Sequence, residues 1–470
     1  MARIFLLLIL IIFAAAYYDG SSEFFERGSV AALVSIALLS VIILLSKSEP
    51  VAKLKGQYLK HGTLVVFGYL IVHFQYPIDY ILGNVTNNLP YIWVDTTIVI
   101  KSLALSVIGL ISFILGYLLY SDNKKLRSSS SLRSTGVHLL LGLSGLLLVG
   151  YYYFVNPLYL AGMYGIEDMG SEAAYFALLF KASMFATLIQ SARNLKNSGV
   201  TFSSFIHYAK ANNIFVNILI LAYLVSVMFS GDRGPILEFA LVYYGNYIFV
   251  TKRKPNIFKV GALIFIGSLF LMILGNVRNL DRDLSFSERF SSSIKSDVTE
   301  NATSILPQTQ ELAGSIRALH FALSYVPTQH DYMYGRFQLQ QIFSILPFGN
   351  SISSSIFSDN SFKYGGSSRF ITWIDQGDNP YSGNGTTVTA DFYFDFGILG
   401  VVIGMLIFGY SMRYAELAMY TTTMPTLFAH AFFIVFLSSA IYVSRSTYLM
   451  ELKSILWTFV LLTINKRLTK

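Results

Sequence analysis

The chain has no cysteine in 470 residues. That excludes a disulfide framework, a thiolate nucleophile and any sulfur-ligated metal. Charge is scarce as well: 13% of residues are Asp, Glu, Lys or Arg, against about 25% in an average globular protein. Hydrophobic residues make up 54%, and the mean hydropathy is +0.55. A soluble core does not hide that much apolar area, so secreted scaffolds, nucleic-acid-binding domains and disordered chains are excluded. There is no phosphate-binding Walker loop, no dinucleotide fingerprint and no internal repeat. No two histidines lie one helical turn apart. The sequence therefore points to no required metal and no cofactor.

What the chain does have is long apolar runs. A hydrocarbon core of about 30 Å needs about 20 apolar residues per helix. By that measure the sequence predicts an all-α polytopic membrane protein with about twelve transmembrane helices. They lie near 4–18, 28–46, 62–82, 97–120, 136–155, 173–192, 213–231, 235–251, 258–276, 393–412, 426–444 and 449–465. The first is read as a retained span, because only Ala14-Ala15-Ala16 resembles a signal-peptidase site. Net charge is +8, and its placement is informative. With the N-terminus inside, twenty Lys and Arg fall in the inside segments and three, Arg27, Arg233 and Arg445, in the short outside ones. The positive-inside rule then puts both termini in the cytoplasm.

One connection differs from the rest. The sequence divides into nine helices over 1–275, a large outer loop over 276–391 and three helices over 392–470. Loops this long are functional or disordered. Apolar residues recur at helical spacing over Glu311–Leu323 and Phe337–Leu346, which predicts two short surface helices. The glycine-rich stretch Gly365–Gly385 reads as a shaped loop. The expectation is an ordered periplasmic loop. Nine spans against three also argues against a transporter of matched halves.

Chemistry concentrates on that outer side. Arg233 sits in a tight turn, Ser230-Gly231-Asp232-Arg233-Gly234-Pro235. Arg278 and Arg282 are four apart, on one face if a helix continues there. Arg336 follows Tyr334-Gly335 at the start of a predicted helix. A guanidinium is permanently charged and forks to fit phosphate oxygens. The set reads as a diphosphate clamp, with headgroup snorkelling or pairing to Asp232, Asp281 and Asp283 as the alternative. His320, His330 and Asp391 are candidate bases for an acceptor hydroxyl. Asp391 and Asp395 share a helical face, and capping of their own helix is the alternative for both. Lys101, Lys181, His73, Glu238, Glu451 and Lys453 fall within spans, where ionisable groups are functional candidates. Glu238, one turn from Arg233, is positioned to hold it.

Three stretches resemble the Wzy-type O-antigen polymerases, which join oligosaccharide repeat units of bacterial surface polysaccharides. The first is Gly231-Asp232-Arg233-Gly234, opening a span. The second is Tyr332-Met333-Tyr334-Gly335-Arg336 leading to Ile345-Leu346-Pro347. The third runs from Gly383-Asn384-Gly385-Thr386-Thr387 through Ala390-Asp391-Phe392-Tyr393 to Phe396-Gly397-Ile398-Leu399-Gly400 and Phe408-Gly409. It departs from the family pattern at Asp391, where glutamate is expected, and Pro347 lacks a following basic residue. The resemblance implies a metal-independent membrane glycosyltransferase of the C-type architecture in the bacterial inner membrane. It implies transfer of the growing glycan from undecaprenyl diphosphate to the incoming lipid-linked repeat unit at the periplasmic face. Implied partners are that lipid-linked oligosaccharide, membrane lipids and a chain-length-regulating co-polymerase, with no nucleic acid. An O-antigen ligase and a lipid-linked oligosaccharide flippase or other transporter are the alternatives.

Overall fold

A computed structural model describes residues 2–20, 25–46, 60–86, 92–120, 136–160, 169–230, 232, 234–253, 288, 291–292, 304–346, 349–357, 361–422 and 424–469. These residues form helices and no strand. In chain order the first ten are α1 (Ala2–Asp19), α2 (Arg27–Leu45), α3 (His61–Leu82), α4 (Val99–Leu119), α5 (His138–Phe154), α6 (Pro157–Leu160), α7 (Ser171–Asn197), α8 (Phe205–Ala211), α9 (Ile214–Ser230) and α10 (Gly234–Thr251). After them come α11 (Gln310–Ala313), α12 (Ile316–Tyr325), α13 (Arg336–Phe343), α14 (Gly349–Ile356), α15 (Ser367–Gln376), α16 (Val388–Thr421), α17 (Leu427–Ser439) and α18 (Leu452–Leu468).

Eleven of the twelve apolar segments fall on helices, and the segment 258–276 lies outside the described residues. Among the described residues six helical segments are long and apolar enough to cross a membrane, or seven if the bent pair α8–α9 is one span. The α5 and α17 helices are apolar but shorter. Their backbones satisfy their own polar groups, which is what hydrocarbon demands.

Two helix groups share the core. One holds α1 to α4 with α16; the other gathers α5, α9, α10 and α18 around α7, and α17 packs on α10, α16 and α18. The closest packing is α4 on α16. A Cβ on Gly116 would lie 1.9 Å from the Leu406 carbonyl oxygen, and one on Gly409 would lie 2.0 Å from that of Phe113. Small residues let the two backbones touch, the means by which helices associate where lipid removes the hydrophobic drive.

The described residues between 304 and 387 build a layer at one end of these helices. Its start is tied to the end of α3. Ser304 Oγ donates to Asp79 at 2.5 Å, the Ile305 N–H donates to Asp79 at 2.8 Å, and Thr309 Oγ1 donates to Gln75 at 2.7 Å. The predicted helix over 311–323 is divided at the Gly314-Ser315 turn into α11 and α12. α12 is sandwiched between α4, α15 and α16 rather than lying on a surface, and Ile316, Leu319 and Leu323 are buried. The predicted helix over 337–346 is α13, ending at Phe343. The stretch 365–385 is not all loop. It contains α15, whose Phe370 and Ile371 are buried one turn in from Ser367. Glycines on both flanks, Gly366 and Gly377, take positive φ and confine the helix between them.

Candidate functional site

α16 is the axis of the site. Its N-cap is Thr387, whose side chain accepts from the Ala390 N–H at 3.1 Å. The helix breaks at Phe396 and Gly397, where φ/ψ leave the helical region and Gly397 takes φ +61°. The break releases the carbonyls just before it. Phe394 O accepts from the Met333 N–H at 2.8 Å, and Asp395 O accepts from the Tyr334 N–H at 3.0 Å. That pairing delivers the chain to Gly335, which takes φ +88° as the N-cap of α13.

The two aspartates are used differently. Asp395 caps α13, not its own helix. Its carboxylate accepts from the N–H groups of Gly335 (3.1 Å), Phe337 (3.3 Å) and Gln338 (3.1 Å). A carboxylate here satisfies otherwise orphaned donors and opposes the positive end of the helix dipole. Asp391 is fully buried one turn back and takes side-chain donors. Ser367 Oγ donates at 2.5 Å, Gln338 Nε2 at 2.7 Å and Gln341 Nε2 at 3.2 Å. It thereby fastens both α13 and α15 to α16. The i, i+4 spacing of the aspartates was legible in sequence; their partners were not.

This scaffold fixes Arg336 at the first position of α13. Its guanidinium carbon lies 4.2 Å from the centroid of the Tyr364 ring and 4.9 Å from that of Phe357, close enough for cation–π attraction. Lys363 Nζ lies 4.9 Å from the Tyr364 ring and 4.6 Å from the Trp373 ring. The Tyr364 hydroxyl is 2.9 Å from His330 Nε2, and His330 Nδ1 is 2.7 Å from the Asp331 carbonyl. A carbonyl only accepts, so the neutral imidazole carries its proton on Nδ1 and Tyr364 donates to Nε2. Tyr364 thus joins two sequence candidates, Arg336 and His330. Tyr364, Lys363, Ser367, Gln338 and Gln341 were missed by sequence reasoning. Gln338, Gln341 and Ser367 lie in two stretches read for their apolar residues or glycines, and Lys363 and Tyr364 lie just before the second.

The other candidates lie elsewhere. Arg233, Arg278 and Arg282 fall outside the described residues. His320 on α12 is fully buried, its ring 6.1 Å from that of Trp93. Neither ring nitrogen has a hydrogen-bond partner among the described residues. Burial pushes its pKa down to about 3; the Arg317 charge adds to the effect and Asp95 opposes it. Glu238 is bonded to Lys181 at 2.9 Å. Lys101 and Lys453 lie 4.8 and 5.0 Å from the rings of Tyr18 and Tyr175. Within the layer Arg317 faces Asp375 at 4.0 Å, and Arg445, between α17 and α18, faces Glu311 of the layer at 3.3 Å. Among the described residues, no group of three or more His, Asp or Glu side chains is arranged to hold a metal ion.

The family model for O-antigen polysaccharide polymerase Wzy matches residues 1–466, nearly the whole chain. No curated protein and no solved structure matches the chain. The chain belongs to the O-antigen polysaccharide polymerase Wzy family.

Proposed function

We propose that this polymerase of O-antigen repeat units, a polytopic protein of the inner membrane, works at the face covered by the 304–387 layer. In this reading that face is periplasmic, both termini are cytoplasmic, and the apolar segments make twelve spans of a C-type glycosyltransferase. The twenty-to-three distribution of basic residues supports the orientation. The donor is the growing glycan on undecaprenyl diphosphate, the acceptor is the incoming lipid-linked repeat unit, and a co-polymerase sets chain length.

The observation that carries the reading is the meeting of Arg336 and His330 at Tyr364. Glycosyl transfer from a lipid diphosphate needs two aids: relief of the charge developing on the leaving group, and removal of a proton from the acceptor hydroxyl. Arg336 serves the first, with Arg233, Arg278 and Arg282 completing the clamp. His330 serves the second: it is half-buried, and its Nε2 is the nitrogen free of a proton. His320 is a weaker candidate, being sealed in the core and too weak a base at neutral pH. Asp391 acts by holding α13 and α15. Arginines supply the charge relief without a metal, so chelators leave the purified enzyme active.

The test is the surface glycan ladder of a deletion strain carrying single variants at wild-type abundance. Arg336→Ala gives single repeat units only, and Arg336→Lys restores short chains, since lysine keeps the charge and loses the fork. A full ladder from Arg336→Ala would remove Arg336 from the clamp. Reporter fusions near Ser128 and Ser353 test orientation: the first reads cytoplasm and the second periplasm, and a reversal at either site breaks the topology.

A further inference from the structure

Tyr364 has three contacts that a purely structural tyrosine has no need to combine. Arg336 lies against its ring at 4.2 Å and Lys363 at 4.9 Å, while its hydroxyl donates to His330 Nε2 at 2.9 Å. The residue is half-buried, so part of its surface remains exposed. His330 is itself fixed. Its Nδ1–H is taken by the Asp331 carbonyl, and its ring packs on those of Phe370 (5.2 Å) and Tyr325 (6.4 Å). The lone pair on Nε2 is therefore covered by the Tyr364 hydroxyl. An acceptor hydroxyl reaching for that nitrogen meets the phenol oxygen first.

We propose that Tyr364 is a catalytic proton relay between the acceptor hydroxyl and His330. The inference rests on the reading of His330 as the base and adds a residue to it. As the acceptor oxygen bonds to the anomeric carbon of the donor glycan, its proton passes to Tyr364 Oη. The Tyr364 proton moves to His330 Nε2 in the same step. The bond from the anomeric carbon to the diphosphate oxygen breaks, and its electron pair leaves with the diphosphate beside Arg336. The products are the elongated glycan, a lipid diphosphate and an imidazolium whose Nδ1–H still points at the Asp331 carbonyl. No further reactant is needed. The ring does a second job: it is the surface against which Arg336 and Lys363 are held, so one residue keeps the site of charge development close to the site of proton removal.

Phenylalanine separates the two jobs, because it keeps the ring and removes the hydroxyl. The assay is chain extension by the purified full-length protein in proteoliposomes. Its substrate is the lipid-linked repeat unit extracted from a polymerase-deficient strain. General acid–base groups contribute about 10²–10⁴-fold. Tyr364→Phe should lower kcat by about 10²-fold with KM unchanged. Tyr364→Ala should lose as much in kcat and also raise KM, since the cations lose their ring. His330→Gln should abolish the acid limb of the pH–rate profile, whereas Tyr364→Phe should keep the limb and lower the plateau. A Tyr364→Phe enzyme within twofold of wild type, beside an inactive His330→Gln enzyme, overturns the relay and leaves the base reading standing. Wild-type turnover and pH profile from His330→Gln overturn both.

Discussion

Arg336 and Arg413 each sit against a tyrosine ring, beside opposite ends of α16. Arg336 lies in the 304–387 layer, half-buried, 4.2 Å from Tyr364. Arg413 lies near the other end of α16, fully buried, 5.0 Å from Tyr117. Around Arg413 the polar groups close on one another. Its Nη1 is 3.5 Å from Glu416 and 3.1 Å from the Tyr117 hydroxyl, while Glu416 accepts from Tyr117 at 2.5 Å and from the Gly62 N–H at 2.9 Å. That set joins α3, α4 and α16 and leaves no route to a substrate. Arg336 opens a helix whose N–H groups on either side of it are capped by Asp395, and the residue keeps part of its surface exposed. The chemistry of the two clusters is alike; what separates a fastener from a binding group is which side is sealed.

The comparison is broken most severely at the sealed end. Removing one partner of a buried ion pair costs about 3–5 kcal/mol, because the other charge is left in a low dielectric. Glu416→Ala should therefore remove the protein from the membrane, with the glycan ladder lost in proportion to abundance. Immunoblot and ladder from the same cells check this. A well-folded Glu416→Ala protein lacking only activity would move that cluster into the working machinery.

Arg336→Ala should give the opposite pattern: abundance stays normal and rate falls by about 10²–10³, equivalent to about 2.7–4 kcal/mol of transition-state stabilisation. Extension by purified protein separates this from a folding defect. Activity loss without protein loss at Arg336, and both together at Glu416, is the signature of an open cluster beside a closed one.

Much of this was legible in sequence, and unevenly so. Apolar runs located the helices because a bilayer imposes length and composition. Arg336, His330 and Asp391 stood out as polar groups in a mostly apolar chain, and the structure brings them into one neighbourhood. Periodicity does not encode the partners of Asp395. It caps a helix some sixty positions upstream in sequence, because the break at Phe396-Gly397 frees carbonyls to receive residues 333 and 334. Nor did it show that His320 packs inward beside Trp93, since a histidine on an amphipathic helix reads alike on either face. Gly365–Gly385 was read by its glycines, which mark the ends of α15 rather than its absence.

A smaller effect sharpens the role of the backing. Asp395→Asn keeps shape and loses charge, weakening three backbone contacts at the start of α13. Loss of a helix N-cap typically costs about 0.5–2 kcal/mol. The variant should remain in the membrane, melt a few degrees lower and bind donor less well, because Arg336 sits at the end that loosens. A raised KM with kcat nearly unchanged is the expected split. A fall in kcat alone would make Asp395 part of the chemistry rather than its support.

The smallest effect concerns His320, a buried polar group whose ring nitrogens have no hydrogen-bond partner among the described residues. Its pKa is pushed from 6.5 to about 3, by burial first and by Arg317 second. The folded protein therefore holds it neutral, while the unfolded chain protonates it below about 6.5. Its contribution to stability is complete above that pH and is lost as pH falls towards 3. Phenylalanine fills similar space without ring nitrogens to satisfy. Replacing an unsatisfied buried polar group by an apolar one of like shape is near neutral or stabilising by about 1 kcal/mol. His320→Phe should thus melt at or above the wild-type temperature at pH 7, and lose less stability than wild type between pH 6.5 and 4, in detergent. Its glycan ladder should be full length. A stable His320→Phe protein that makes no polymer would instead return the acceptor base to α12 and set aside His330.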